Sequence, residues 1–121
     1  MIRVAICDDD IVFTTRVEEL ILDFGRAYSF EICIYFDGYT LLESMRQGNC
    51  FDIIFMDPPY RQGLEEDVLR FLSKSDILKP DTKIIVEASL DTDFSYLDEL
   101  GFNVLKFKKY KTNMHVFIQK R

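Results

Sequence analysis

Residues 51–60 read FDIIFMDPPY, a short apolar run that closes on an acid and two prolines. The apolar residues 53–56 are bounded by residues that break regular structure, which predicts a strand buried on both faces of a sheet. Pro58 and Pro59 cannot extend this strand, because neither carries a backbone N–H group. Asp57 therefore stands at the carboxyl end of the strand, where open α/β sheets place their ligands.

The chain before residue 102 alternates between predicted strands and predicted helices. Short apolar runs predict strands at 2–7, 31–36, 52–56 and 83–88. Apolar residues at helical spacing predict helices at 11–27, 39–45, 64–72 and 94–100. This alternation predicts a parallel sheet that is covered by helices on both faces, with right-handed crossovers.

The last twenty residues break the alternation. Two strand-like runs, 102–110 and 114–119, have only Lys111-Thr112-Asn113 between them, which leaves no room for a helix. So short a connection predicts an antiparallel hairpin, and the predicted sheet is therefore mixed.

The same hairpin concentrates positive charge. Residues 102–121 carry six basic side chains and no acidic one, although the whole chain has a net charge of −6. One interpretation is a surface that contacts nucleic acid, with weak RNA binding through the hairpin. The other, which we favour, is a solvated edge whose lysines prevent edge-to-edge pairing.

The overall composition excludes several classes of protein. With 121 residues, of which 48% are hydrophobic and 30% are charged, it is that of one globular domain. No apolar run approaches membrane-spanning length and no signal peptide precedes the first strand, so we expect a cytoplasmic protein without a membrane partner. His115 is the only histidine, and a zinc site is therefore not expected.

Acidic residues follow two of the predicted strands at their carboxyl ends. Asp8, Asp9 and Asp10 follow the first strand, and Asp57 follows the third. Asp10 can cap the next helix, but three adjacent acids exceed what a cap needs. Oxygen ligands from two neighbouring strand ends suit Mg²⁺, and mutual repulsion is expected to raise the pKa of at least one of these acids.

The first 57 residues resemble a bacterial response-regulator receiver domain of the subclass attached to LytTR-type DNA-binding domains. The resemblance rests on VAICDDD (4–10), YFDG (35–38) and FDIIFMD (51–57). It implies that Asp8, Asp9 and Asp57 bind Mg²⁺, that Asp57 accepts a phosphoryl group, and that a histidine kinase is a partner. Phosphorylation is expected to be weak, because Pro58 and Pro59 offer no N–H groups to the phosphoryl oxygens.

The remaining residues resemble the carboxyl-terminal half of the bacterial methyltransferases that modify guanine N2 in 16S ribosomal RNA. This resemblance rests on DPPYRQGL (57–64), LKPDTKIIVE (78–87) and the closing hairpin. It implies that Asp57 and the Pro58 carbonyl accept hydrogen bonds from the target amine. It also implies that Tyr60 stacks on the base; Pro59 is the remaining residue of this motif.

The two resemblances meet at Asp57, so we expect a chimera with a receiver-like half at 1–57 and a methyltransferase-like half at 58–121. Both parent folds are doubly wound, which implies a single three-layer α/β domain over 1–121. It would be flavodoxin- or Rossmann-like, with strand order 2-1-3-4-6-5 and an antiparallel last strand. The expected function is that of an engineered scaffold without a selected activity, and the alternatives are a degenerate receiver and a nucleic-acid-binding relative of the rRNA methyltransferases.

The turn after the first strand leads to a further expectation about the cofactor. S-adenosylmethionine enzymes carry a glycine-rich turn there, whereas this turn is acidic and the chain contains no G-x-G sequence. We therefore expect neither cofactor binding nor enzyme activity. Asp37, after the second strand, is interpreted as a helix cap rather than a ribose ligand. Glu87, near the end of the fourth strand, is expected to add a repelling acid at the phosphoryl site.

Overall fold

The structure is a computed structural model that describes residues 1–24, 29–57, 64–74 and 78–121. Within these ranges the strands are β1 (Ile2–Cys7), β2 (Phe30–Tyr35), β3 (Ile53–Met56), β4 (Lys83–Ser89), β5 (Phe102–Lys109) and β6 (Asn113–Lys120). The helices are α1 (Ile11–Phe24), α2 (Gly38–Arg46), α3 (Leu64–Lys74) and α4 (Tyr96–Glu99). None of these helices is both long enough and apolar enough to cross a membrane.

The six strands form one mixed sheet in the order β2-β1-β3-β4-β6-β5. The pairs β1–β2, β1–β3 and β3–β4 are parallel, whereas β6 runs antiparallel to both β4 and β5. This is the predicted strand order, and the prediction of a mixed, Rossmann-like α/β sheet is confirmed. The short connection after β5 is the physical reason, because three residues cannot carry the chain back to a parallel position.

Helix ends and turns follow from local chemistry. The Asp10 carboxylate accepts hydrogen bonds from the N–H groups of Val12 (3.0 Å) and Phe13 (3.1 Å) and so caps α1. Asp37 caps α2 by accepting from the backbone N–H and the hydroxyl of Thr40 at 2.7 and 2.8 Å. Both caps were predicted and are confirmed.

The principal core lies on the face of the sheet that carries Cys7, Met56 and Val86. Buried side chains of α2, α3 and α4 pack against this face; they include Leu41, Met45, Leu69, Leu72 and Leu97. β3 shows the asymmetry clearly: Ile54 and Met56 are buried, whereas Ile53 and Phe55 on the opposite face are only partly covered. The prediction of a strand buried on both faces is therefore wrong for β3, since burial is complete on one face only.

A polar network closes the amino edge of the sheet. Asp52, just ahead of β3, accepts hydrogen bonds from the Arg3 backbone N–H and from Lys79 Nζ, both at 2.8 Å. Thr82 Oγ1 is buried and donates to the Phe51 carbonyl at 2.6 Å. These contacts tie the entry points of β1, β3 and β4 together and leave the carboxyl edge as the place where side chains converge.

Candidate functional site

Five ionisable side chains form a row across five adjacent strands at the carboxyl edge of the sheet. The pairings Cys7–Met56 and Met56–Val86 place the next residues of these strands, Asp8, Asp57 and Glu87, side by side. Glu87 is paired with His115, and His115 with Lys108. Partners in register project to the same face of a sheet, so this row runs from three acids to two nitrogen bases. We call it the carboxyl-edge row.

Asp8 is the most deeply buried member of the row, with 4% of its surface exposed. Its Oδ1 accepts a hydrogen bond from the Asp10 backbone N–H at 2.9 Å. Its Oδ2 is also buried, and no described residue donates a hydrogen bond to it while Asp57 is ionised; the Asp57 carboxyl is near enough to donate one to Asp8 when it is protonated. Burial, reinforced by the neighbouring Asp9, raises the pKa of the Asp8 carboxyl. A buried carboxylate oxygen without a partner is costly, and a positively charged group that binds there offsets this cost.

Asp57 lies between Asp8 and Glu87. Burial raises its pKa to about 8, and the neighbouring carboxyls of Glu87 and then Asp8 contribute to the shift. The predicted repulsion between acids at the carboxyl edge is thus present, and Glu87 is one of its sources. At neutral pH the pocket therefore holds a proton, and a bound cation would displace it by favouring the ionised form.

Glu87 is held in place by two side chains of β6. Its Oε1 accepts a hydrogen bond from Asn113 Nδ2 at 2.7 Å and lies 3.1 Å from His115 Nε2. The His115 ring makes edge contacts with Phe55 and Tyr110, with centroid distances of 5.7 and 4.9 Å. Sequence reasoning missed Asn113 and His115, because their role depends on the register between β4 and β6. The hairpin was the one available signal.

Of the other predicted site residues, one is exposed and three lie outside the described ranges. Asp9 is exposed, although its neighbour Asp8 is buried. Among the described residues, no three His, Cys, Asp or Glu side chains are arranged to hold a metal ion. The Mg²⁺ site formed by Asp8, Asp9 and Asp57 stays a prediction. Pro58, Pro59 and Tyr60 of the methyltransferase motif lie outside the described residues.

The basic hairpin presents an exposed surface next to the carboxyl-edge row. Every residue of β5 after Phe102 is exposed, and the exposed apolar side chains on this strand and the turn are Val104, Leu105, Phe107 and Tyr110. Lys108 lies over the Tyr110 ring with its Nζ 5.5 Å from the centroid, and Lys106 lies 5.9 Å from the centroid of Phe117. We call residues 104–111 the hairpin surface; it combines positive charge with exposed aromatic rings.

This chain shares its fold with several solved structures, some of which are named methylases or methyltransferases. A candidate methylase of Haemophilus influenzae superposes with a TM-score of 0.60 at 21% identity, over 98% of this chain and 72% of that chain. A conserved hypothetical protein of Streptococcus pyogenes gives a TM-score of 0.66 at 12% identity, over 98% and 86%. A candidate methyltransferase complexed with SAH gives 0.58 at 12% identity, over 97% and 44%.

A curated relative points in the same direction. An uncharacterised methylase of Rickettsia prowazekii (strain Madrid E) is 35% identical over 60 residues, which is half of this chain. The chain spans a quarter of the length of that relative. The chain thus carries a methyltransferase-like segment.

These matches correct four predictions. The engineered scaffold without activity, the degenerate receiver with Asp57 as phosphoacceptor in a phosphorelay, and the absence of enzyme activity are wrong, since the similar proteins are methylases. The expectation of no S-adenosylmethionine is contradicted by the neighbour complexed with SAH. The physical reason is that receivers and methyltransferases both place acids after strands of a doubly wound sheet, so short motifs at strand ends do not separate the two families.

A family model shows whether two unrelated halves meet at Asp57. The model of the family described as conserved hypothetical protein 95 matches residues 5–119, on both sides of Asp57. The prediction of a chimera, with a receiver-like half ending at residue 57, is therefore wrong. The chain belongs to the conserved hypothetical protein 95 family.

Proposed function

We propose that this chain is a methyltransferase domain that uses S-adenosylmethionine to methylate an amino group of a nucleic acid. The observation that carries the proposal is the buried Asp8 carboxylate, whose Oδ2 has no partner among the described residues, beside Asp57 at the carboxyl edge. We further infer that residues 1–121 form a single domain, because all six strands belong to one sheet.

The residues of the carboxyl edge suit the cationic parts of this cofactor. S-adenosylmethionine, when bound, supplies an activated methyl group and carries an ammonium group. Asp8 would hold the ammonium group through its unpartnered Oδ2. The turn after β1 is closed by its own acids, because Asp10 already binds the N–H groups of Val12 and Phe13. Contacts at this turn would therefore come from carboxylate oxygens rather than from the backbone of a glycine-rich loop.

Asp57 is suited to act on the amine that receives the methyl group. It is the first residue of the Asp-Pro-Pro-Tyr motif, and the resemblance to the rRNA methyltransferases implies that this acid accepts a hydrogen bond from the target amine. In the ligand-free protein its pKa is raised to about 8, mainly by burial. Positive charge bound beside Asp8 would lower this pKa and leave Asp57 ionised, the form in which both carboxylate oxygens accept hydrogen bonds and neither donates.

The hairpin surface favours a nucleic acid as the substrate. Phosphate groups are attracted by its lysines, and exposed aromatic rings offer stacking platforms for unpaired bases. Lys108 belongs both to this surface and to the carboxyl-edge row, so a strand lying on the hairpin would lead toward Asp57. By resemblance, guanine N2 of 16S ribosomal RNA is the specific amine that we propose.

Titration calorimetry with SAH tests the cofactor part of the proposal. The Asp8→Asn variant removes the buried charge, and the Asp67→Asn variant removes an exposed charge on α3, outside the carboxyl-edge row, and serves as the control. Hydrogen bonds to charged groups contribute about 1.5–3 kcal/mol, so Asp8→Asn should weaken binding by about 10- to 100-fold. Asp67→Asn should bind as the wild type does. Equal affinities in the two variants, or no binding by the wild type, would contradict the proposal.

A further inference from the structure

The side chain of Glu87 links the proposed catalytic acid to the hairpin. Glu87 and Asp57 follow a register pair of the parallel strands β3 and β4, so their side chains are lateral neighbours on one face of the sheet. The two carboxyls are close enough for Glu87 to raise the pKa of Asp57. Asp57 is just past the last residue of β3, and its backbone is still held to β1 because its N–H donates to the Cys7 carbonyl at 3.0 Å, so the freedom left to this residue is that of its side chain.

Glu87 is itself firmly restrained. It lies within β4, and its side chain is only 15% exposed. Asn113 and His115 contact one of its carboxyl oxygens, Oε1, at 2.7 and 3.1 Å. The His115 ring in turn makes edge contacts with two aromatic rings. The second carboxyl oxygen of Glu87 is therefore available to the neighbouring strand end without competing with these contacts.

We propose that Glu87 is a positioning residue for Asp57: anchored by Asn113 and His115 of β6, its carboxyl group holds the side chain of Asp57, the first residue of the Asp-Pro-Pro-Tyr motif, in one rotamer. The inference deepens the proposed function and rests on it for its catalytic consequence. Its structural content, one fixed rotamer of Asp57, stands independently of activity.

Two substitutions of Glu87 test whether its hydrogen bonds hold the Asp57 side chain in place. In Glu87→Gln the side-chain carbonyl would still accept the hydrogen bond from Asn113, and the amide could donate to Asp57, so this variant should keep the Asp57 rotamer. Glu87→Ala removes both contacts and should release Asp57. Asn113→Ala loosens the anchor without touching the contact between the two acids. Glu43→Ala, which removes an exposed glutamate of α2, is the matched control.

The first measurement is the side-chain rotamer of Asp57 by NMR. Three-bond couplings from the Asp57 Cγ to the backbone nitrogen and carbonyl carbon report χ1, which occupies staggered wells. The couplings should show one rotamer in the wild type, Glu87→Gln and Glu43→Ala, and averaging over rotamers in Glu87→Ala. Unchanged couplings in Glu87→Ala would overturn the inference, whether or not the protein transfers methyl groups.

The second measurement separates kcat from cofactor affinity. Misplacement of a catalytic group by about 1 Å costs about 100-fold in rate, so kcat for RNA methylation should fall by this order in Glu87→Ala. Asn113→Ala should lose less, Glu87→Gln should restore most of the rate, and the affinity for SAH should stay within about twofold of the wild type. A parallel loss of kcat and SAH affinity in Glu87→Ala would indicate a merely structural role. If the wild type itself transfers no methyl group, the proposed function fails, and the NMR couplings alone decide the role of Glu87.

Discussion

Replacing Asp57 by Asn should stabilise the ligand-free protein at neutral pH. The pKa of Asp57 is raised from 3.8 to about 8 in the folded state, first by burial and then by Glu87. Between these two values the folded protein holds a proton that the unfolded chain has released. Folding therefore becomes less favourable as the pH rises, and the effect is complete above the folded-state pKa. Asn carries no charge at any of these pH values, so the variant escapes this loss.

The magnitude follows from the shift. Each pKa unit corresponds to about 1.4 kcal/mol, so the unscreened cost at pH 7 would be about 4 kcal/mol. Asp57 is only partly buried, and solvent screening reduces the expected gain of Asp57→Asn to about 2 kcal/mol at pH 7. The gain should shrink toward zero near pH 3, below both pKa values, where both states of the wild type are protonated.

Urea unfolding of both proteins across pH 3 to 8 measures this difference in the free energy of unfolding. Asp67→Asn is the control, since Asp67 is exposed on α3 and outside the carboxyl-edge row, and its effect should stay within about 0.5 kcal/mol at every pH. A difference in the free energy of unfolding between wild type and Asp57→Asn that does not change with pH would overturn this reasoning. So would an Asp57→Asn variant that is less stable than the wild type at pH 7.

Three further predictions concern the edges of the sheet. Thr82→Val leaves the buried Phe51 carbonyl without its donor and should cost about 1–2 kcal/mol in urea unfolding. Asp52→Asn should cost about 1 kcal/mol above pH 4, because hydrogen bonds to the ionised carboxylate lower its pKa, and this cost should vanish in acid unfolding as the pH falls through that pKa. Lys109→Gln should reduce the salt slope of RNA binding by about 1, whereas Lys83→Gln at the amino edge should leave it unchanged.

Much of the fold could be predicted because it depends on short sequence patterns. The strand–helix alternation and the three-residue turn after β5 predict a mixed sheet, and Asp10 and Asp37 are recognisable as helix caps. The repulsion at the carboxyl edge was also predictable, because acids that follow neighbouring parallel strands meet at one edge.

The remaining features depend on interactions that no local pattern contains. Asn113 and His115 reach Glu87 only through the antiparallel register of β6 on β4, and a shift of one residue would turn both away. The family could not be assigned from acids at strand ends, because unrelated doubly wound proteins share them. A G-x-G turn is not required for every contact with a cationic cofactor, since a buried carboxylate such as Asp8 offers a different one.

The central claim, methyl transfer to a nucleic acid, is tested most directly by incubating the protein with methyl-labelled S-adenosylmethionine and small-subunit ribosomal RNA. The wild type should transfer label to the RNA, and Asp57→Asn should do so about 100-fold more slowly, because a residue that contacts the reacting amine has been changed. No transfer by the wild type, or equal rates for the two proteins, would contradict the assignment of the carboxyl edge as a methyltransferase site.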